Sequence, residues 1–304
     1  MTSKLSAVIP LFNKSQYIKR AIESILNQNH PVDEIIIVDD GSTDNSVEIV
    51  NSIKSNKLKI ISQKNQGVSS ARNNGIKNAS NEYVLLIDAD DIWLPHFTTE
   101  IIKLIKAYPT AGMFATAYSF IKFKKITPAN LRFVPKDSGL IQNYFLSCIK
   151  ADLPVTASSV AIKKEAFYQV GGFIQGMAMG EDQLLWSRIA YKYPIAFSNT
   201  ISVYYDISIA NSACKTHIIT SLAPHISYWT EDLKNEEVPN NFRNSLKQLL
   251  HFSALYCVKN NLKVNNKKQA RKILFNEPTL LKDSYWFISI FLTFLPYFII
   301  KRIF

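Results

Sequence analysis

Tyr83-Val84-Leu85-Leu86-Ile87-Asp88-Ala89-Asp90-Asp91 joins an unbroken apolar run to three carboxylates within four positions. The run has the length and side chains of a strand buried on both faces, and the acidic turn falls where that strand ends. Carboxylates this close repel one another unless a cation lies between them, and a hard divalent metal carrying phosphate oxygens meets that need. The stretch reads as a site for a metal-bound nucleotide. The plain alternative is an acidic turn in which Asp91 caps a helix over Ile92 to Lys106. The neighbouring segments decide between the two.

Three earlier segments repeat the plan of apolar strand, polar loop and amphipathic helix. Leu5 to Pro10 precedes a helical face of Tyr17, Ile18, Ala21, Ile22, Ile25 and Leu26, with Asn13 or Ser15 as cap. Glu34 to Asp39 leads through Gly41-Ser42-Thr43-Asp44, turn and cap, to Val47, Ile49, Val50 and Ile53. Leu58 to Ile61 leads through a loop to a helix from Val68 to Asn78. Alternation of this kind predicts an α/β fold with a mostly parallel, Rossmann-like sheet flanked by helices. Such sheets bind ligands beyond the carboxyl ends of their strands. One crevice should therefore collect Asn13, Asp39, Asp40, Lys64, Gly67, Arg72, Asp88, Asp90 and Asp91. No G-x-G-x-x-G follows any of these strands, which argues against a dinucleotide site.

Further along, Ser158 to Ile162 reads as a strand and Lys163 to Val170 as a short helix stopped by Gly171-Gly172. Gly180-Glu181-Asp182 precedes Leu184, Leu185, Arg188 and Ile189 at helical spacing, so Asp182 stands at a helix start, where a carboxylate can also serve as a plain cap.

Composition narrows the class. With 304 residues, 47% of them hydrophobic, the chain can bury a large core in one or two domains. Three scattered cysteines, Cys148, Cys214 and Cys257, suit reduced core thiols better than disulfides or zinc, which implies a cytoplasmic setting. The N-terminus has too short an apolar stretch for a signal peptide. Of the net charge of +11, residues 1–110 carry none (12 Lys/Arg against 12 Asp/Glu), residues 111–210 carry +4 (10 against 6) and residues 211–304 carry +7 (13 against 6). The acidic crevice and the C-terminal placement of the excess argue against nucleic acid as partner. Trp286 to Ile300 is an uncharged run of about fifteen residues, short of the ~20 of a spanning helix, and it ends in Lys301-Arg302. It reads as an interfacial anchor on an anionic membrane; the alternative is a helix packed on the globule or on another copy of the chain, which leaves a homo-oligomer open.

Taken together, Val8-Ile9-Pro10-Leu11-Phe12-Asn13, Ile37-Val38-Asp39-Asp40-Gly41-Ser42-Thr43-Asp44, Asn65-Gln66-Gly67-Val68-Ser69-Ser70-Ala71-Arg72-Asn73, Leu86-Ile87-Asp88-Ala89-Asp90-Asp91 and Gly171-Gly172-Phe173 with Gly180-Glu181-Asp182 resemble the family 2 glycosyltransferases of GT-A fold. The motifs fall in the family's order over about the first 190 residues. The resemblance implies a catalytic domain at 1–212, with a nucleotide-binding half at 1–110 and an acceptor half at 111–212. A helical basic region would follow at 213–304, with a membrane-associated end at 286–302.

By the same resemblance, Pro10, Asn13, Asp40, Lys64, Gly67 and Ala89 line the nucleotide. Phe12 lies near the base, Asp39 reads uracil and Arg72 lies beside base and phosphate. Asp88 faces ribose or metal, and Asp90 is the direct ligand of Mg²⁺ or Mn²⁺. Asp182 is the base of an inverting transfer, supported by Glu181. The implied enzyme is a metal-dependent transferase of hexosyl type, moving a sugar from a nucleotide-sugar, UDP-linked, to a lipid-linked or surface-polysaccharide acceptor at the inner face of the cell membrane. One departure stands out: the stretch after Tyr204-Tyr205 reads Asp206-Ile207-Ser208 and lacks the histidine many members carry, and His217 is out of register. Two other readings are a nucleotidyltransferase, disfavoured by the lack of a Gly-rich basic loop near residues 11–20, and a scaffold that kept the fold and lost catalysis.

Overall fold

The computed structural model describes residues 3–177, 179–208, 221–276 and 284–303. The chain forms two compact units, Met1–Ser208 and Ile209–Phe304.

The first unit opens with the four expected strands, the first three each followed by a helix: β1 (Leu5–Leu11), α1 (Ile18–Leu26), β2 (Glu34–Asp39), α2 (Ser46–Ser52), β3 (Leu58–Ser62), α3 (Val68–Asn78) and β4 (Tyr83–Leu86). Then come β5 (Ile92–Trp93), α4 (Phe97–Ala107), β6 (Met113–Lys122), β7 (Lys125–Pro128), β8 (Ser138–Leu140), α5 (Tyr144–Ser147), β9 (Val160–Lys163), α6 (Lys164–Gln169), α7 (Glu181–Lys192) and β10 (Ile195–Asp206). The sheet order is β3-β2-β1-β4-β9-β6-β10-β5, with β7 on β6 and β8 on β10. Strands β3, β2, β1, β4, β6 and β10 point one way, and β9 runs antiparallel between β4 and β6. The α/β class with a mostly parallel sheet flanked by helices is what the sequence predicts.

Burial explains the parallel half. Val8, Ile9, Ile35, Ile36, Ile37, Val84, Leu85 and Leu86 have no exposed surface, as expected of strands covered on both faces. Register then sets the site, because Leu11 pairs with Asp39 and Val8 with Leu86. The loops after β1, β2 and β4 therefore leave the sheet on one side, and β10, running in the same sense, brings Asp206 to that side too.

The helix expected over Ile92 to Lys106 begins only at Phe97. Ile92 and Trp93 instead pair antiparallel with Tyr204 and Val203, and Pro95, a poor fit for a helix interior, separates strand from helix. The expected strand over Ser158 to Ile162 starts at Val160, since Ser158 and Ser159 belong to a turn closed by Ser159 N to Thr156 O. The stop at Gly171-Gly172 is found as predicted: both glycines have positive φ, and their N–H groups bond to Tyr168 O and Phe167 O.

The second unit comprises α8 (Pro224–Lys234), α9 (Asn240–Lys263), α10 (Lys267–Asn276), α11 (Ser284–Leu292) and α12 (Tyr297–Ile303). Ala254, Cys257, Val258, Leu262, Ala270, Ile273, Leu274 and Ile300 form its core. Among the described residues no helix is long and apolar enough to cross a membrane. The apolar run of the sequence is split between α11 and α12 by the turn before Pro296. Leu292, Leu295 and Ile300 pack inward, whereas Phe287, Ile288, Phe291, Phe294 and Phe298 are exposed.

Candidate active site

The loops after β1 and β2 fasten to each other. Asn13 takes a left-handed conformation (φ 51) that few side chains tolerate, and its Oδ1 accepts from Thr43 N at 2.8 Å. Lys14 N donates to Ser46 Oγ at 2.9 Å and Ser15 N to Asp44 Oδ2 at 3.0 Å. Asn13 and Ser15 thus brace the loop and do not cap α1, whose N-cap is Tyr17. Asp44 stands one position before the N-cap Asn45, and its Oδ1 accepts from Ser46 N, the first residue of α2, at 3.0 Å.

Asp39 Oδ1 accepts from Ser42 N at 3.0 Å. Asp40 is committed to the loop after β3, accepting from Gln63 Nε2 (2.8 Å), Gln66 N (2.9 Å) and Gly67 N (2.8 Å). This fixes Gly67, at φ 86, as the residue that launches α3. Pro10 lies within β1, and Phe12, 45% exposed, and Lys64 lie at the open side of the loops.

The acidic turn after β4 divides its carboxylates. Asp91 does not face the crevice. It is 2% exposed, accepts from Ser158 Oγ and from Asp206 N at 2.9 Å, and so ties the turn to the end of β10. Burial, then the charges of Asp88 and Asp90, push its carboxyl well above the ordinary range. Ser158 Oγ also receives Asp88 N at 3.0 Å. Asp90 faces cations: Lys14 Nζ lies 2.5 Å from its Oδ2, and Arg20 Nη2 binds both its carbonyl (2.5 Å) and Asp206 Oδ2 (2.8 Å). The ring of Tyr17 lies 6.0 Å from Lys14 Nζ and 5.5 Å from the Arg20 guanidinium. Ala89, between the two acids, is buried.

Arg72 joins this turn to α7. Only 4% exposed, its guanidinium reaches Asp88 Oδ1 at 2.7 Å and Glu181 Oε1 at 2.8 Å. Burial alone would weaken its charge, but Asp88 and Glu181 outweigh that and hold it firmly protonated. Asp182 follows Glu181 in the first turn of α7 and lies in a different environment: burial, then the charge of Glu181, push its carboxyl up to about 7, with Arg72 pulling the other way. Cys148 is buried in the same region, its thiol pushed up to about 12 by burial.

Sequence reasoning thus named Asp88, Asp90, Arg72, Glu181 and Asp182, which the structure gathers around one guanidinium and one turn. It missed Lys14, Arg20, Ser158 and Asp206. The stretch at residues 11–20 was noted for lacking a glycine-rich basic loop, yet two of its cations meet Asp90. Their signal in the sequence was weak: Lys14 and Arg20 stand three positions either side of Tyr17, a spacing that reads as one local face and does not announce an acid 70 or more positions away.

The profile of glycosyl transferase family 2 matches residues 6–186. The chain belongs to this family. Among relatives, an uncharacterised glycosyltransferase of Nostoc sp. is 41% identical over 113 residues, covering 36% of this chain and 35% of that protein. One of Rickettsia felis is 31% identical over 194 residues, covering 64% and 31%. The chain spans about a third of the length of these curated relatives. Among solved structures, Staphylococcus aureus TarS 1–349 in complex with UDP-GlcNAc aligns with a TM-score of 0.68 at 17% identity, covering 98% of this chain and 90% of that one. The mannosyltransferase PcManGT of Pyrobaculum calidifontis, in complex with GDP-Man and Mn²⁺, aligns at 0.63 and 18%, covering 100% and 87%. Family 2 and the GT-A fold stand as the sequence implied.

The donor set bears on the metal this family commonly uses. Among the described residues no three His, Cys, Asp or Glu side chains gather as ligands. Asp88 and Asp90 offer hard oxygens, and Mg²⁺ is usually held by one or two carboxylates with water and substrate phosphates completing the shell. Burial, and after it the charge of Asp88, raises the Asp90 carboxyl despite Lys14, and a divalent ion placed between the two acids would relieve that repulsion. The residues fit a divalent ion that arrives with a phosphate ligand.

Proposed function

We propose that the chain transfers a sugar from a nucleotide-sugar, with UDP as the carrier, to an acceptor hydroxyl with inversion at the anomeric carbon. The observation that carries this reading is the contrast between two consecutive carboxylates. Glu181 is spent on Arg72, whereas Asp182, part-buried and without that ion pair, is raised to about 7. Adjacent acids whose environments separate their roles are a mark of acid–base chemistry, and a base near neutral pH is efficient at taking a proton from a hydroxyl. One such base suffices for a single displacement.

In this reading Asp90, with Asp88 beside it, would hold Mg²⁺ or Mn²⁺, which as a Lewis acid neutralises the leaving diphosphate. Arg72 keeps Glu181 and Asp88 in place, and Asp40 keeps Gly67 and α3 where the nucleotide would lie. Asp39 would read uracil beside Phe12, and TarS, of the same fold, is found in complex with UDP-GlcNAc. A screen of nucleotide-sugars with Mn²⁺ or Mg²⁺, scored by hydrolysis or thermal stabilisation, tests the donor. Stabilisation by UDP-sugars above GDP-sugars is expected; a response to GDP-sugars alone would overturn the assignment to Asp39.

For the acceptor we infer a lipid-linked or surface glycan met at an anionic membrane. Support comes from the exposed phenylalanines of α11 and α12 and from exposed Lys268 and Lys272 on α10, a combination suited to an anionic interface.

A further inference from the structure

Lys14 has no part in the reading above, yet its ammonium makes the closest ion pair to the acidic turn, 2.5 Å from Asp90 Oδ2 and partly buried with it. We propose that Lys14 is a tethered counter-ion that changes partners: it holds Asp90 in the nucleotide-free protein and passes to the diphosphate when nucleotide and divalent ion bind. The inference rests on the reading of Asp90 as metal ligand.

Three features support it. First, a divalent ion and an ammonium cannot both contact Asp90 Oδ2 without like-charge repulsion, so one must give way. Second, the backbone of Lys14 cannot follow, because its N–H is bonded to Ser46 Oγ and the preceding Asn13 is locked to Thr43 N. Only the flexible four-carbon stem is left to move, and lysine binds phosphate as a movable point charge. Third, Arg20 grips the Asp90 carbonyl and Asp206 and keeps the turn in place after the ammonium leaves.

The consequence is coupling. Metal alone must turn the ammonium out into solvent, whereas metal with nucleotide gives it a new anion. Each ligand therefore tightens the other, by the same factor in both directions.

Mn²⁺ binding followed by electron paramagnetic resonance, with and without UDP, reads this directly. In the wild type UDP should tighten Mn²⁺ by roughly ten-fold or more. In Lys14→Gln, Mn²⁺ alone should bind roughly five-fold tighter than to wild type, and UDP, still a direct ligand of the ion, should tighten it by a smaller factor than in wild type; Lys14→Arg, which keeps the charge, should restore weak metal-only binding. Lys14→Met repeats the measurement should glutamine disturb the loop, with thermal melts confirming the fold. Mn²⁺ affinity in the neutral variants equal to or below that of wild type, without UDP, overturns the proposal. Asp90→Asn separates the two failures: if it keeps UDP-dependent Mn²⁺ binding, the metal reading falls and Lys14 with it; if it loses that binding while Lys14→Gln matches wild type, only the role of Lys14 falls.

Discussion

Glu181 and Asp182 are the same kind of group one peptide bond apart, and neighbours alone give them different chemistry. Because Asp182 must be ionised to accept a proton, kcat/KM should rise with pH through about 7, as its carboxyl loses its proton, and level off above. Asp182→Asn should keep nucleotide affinity while transfer falls roughly 10²–10⁴-fold and the acid limb disappears. An unchanged limb in that variant would place the titrating group elsewhere. At this scale the sequence was informative where a motif is local, as in Asp88-Ala89-Asp90 and Glu181-Asp182. It was silent where the partner comes from afar: nothing near Asp90 announces Lys14 or Arg20, and Asp206 was visible only as a place where a histidine is missing.

Among the elements, α3 shows how packing delivers a side chain to the site. It lies on β1 and β2 through Gly75, where an added methyl would overlap Val8 and crowd Val38 at 3.2 Å. Arg72 sits one turn earlier on the same helix. Gly75→Ala should therefore lift α3, costing about 1–3 kcal/mol of stability and weakening the grip of Arg72 on Asp88 and Glu181. A denaturant melt together with nucleotide titration checks this, and a melt unchanged from wild type would mean the helix has room to adjust. The strands that α3 covers were legible because their aliphatic runs are continuous. The second half of the sheet was not: β6 was not singled out, and β10 spans twelve residues with register shifts between Ser198 and Val203 that blur any regular alternation. The helix misplaced at Ile92 shows the same limit, since its first residues find a strand partner more than a hundred positions away.

For the molecule as a whole, the apolar C-terminal run was legible as composition but not as shape. Instead of one continuous apolar segment, α11 and α12 are two short helices packed within the second unit, with Arg271 stacked 4.4 Å from the Phe294 ring and bonded to Thr293 O. The membrane reading predicts that the full chain floats with vesicles containing anionic lipid at low salt. It also predicts that Phe287→Ser with Phe291→Ser and Phe298→Ser leaves the chain in the soluble fraction with nucleotide binding intact. Wild-type protein that stays soluble would assign the face to another contact.

Arg72 operates at this scale too, since it joins Asp88 to a glutamate 109 positions away from itself. Removing the arginine leaves two part-buried carboxylates facing each other, while removing either acid leaves the buried cation half-answered, so single changes at the three positions are costly and their effects do not add. Lysine is no substitute, because one ammonium cannot fork to two acids as a guanidinium does. Selection should accordingly treat Arg72, Asp88 and Glu181 as one inherited unit, retained together or replaced together as lineages diverge.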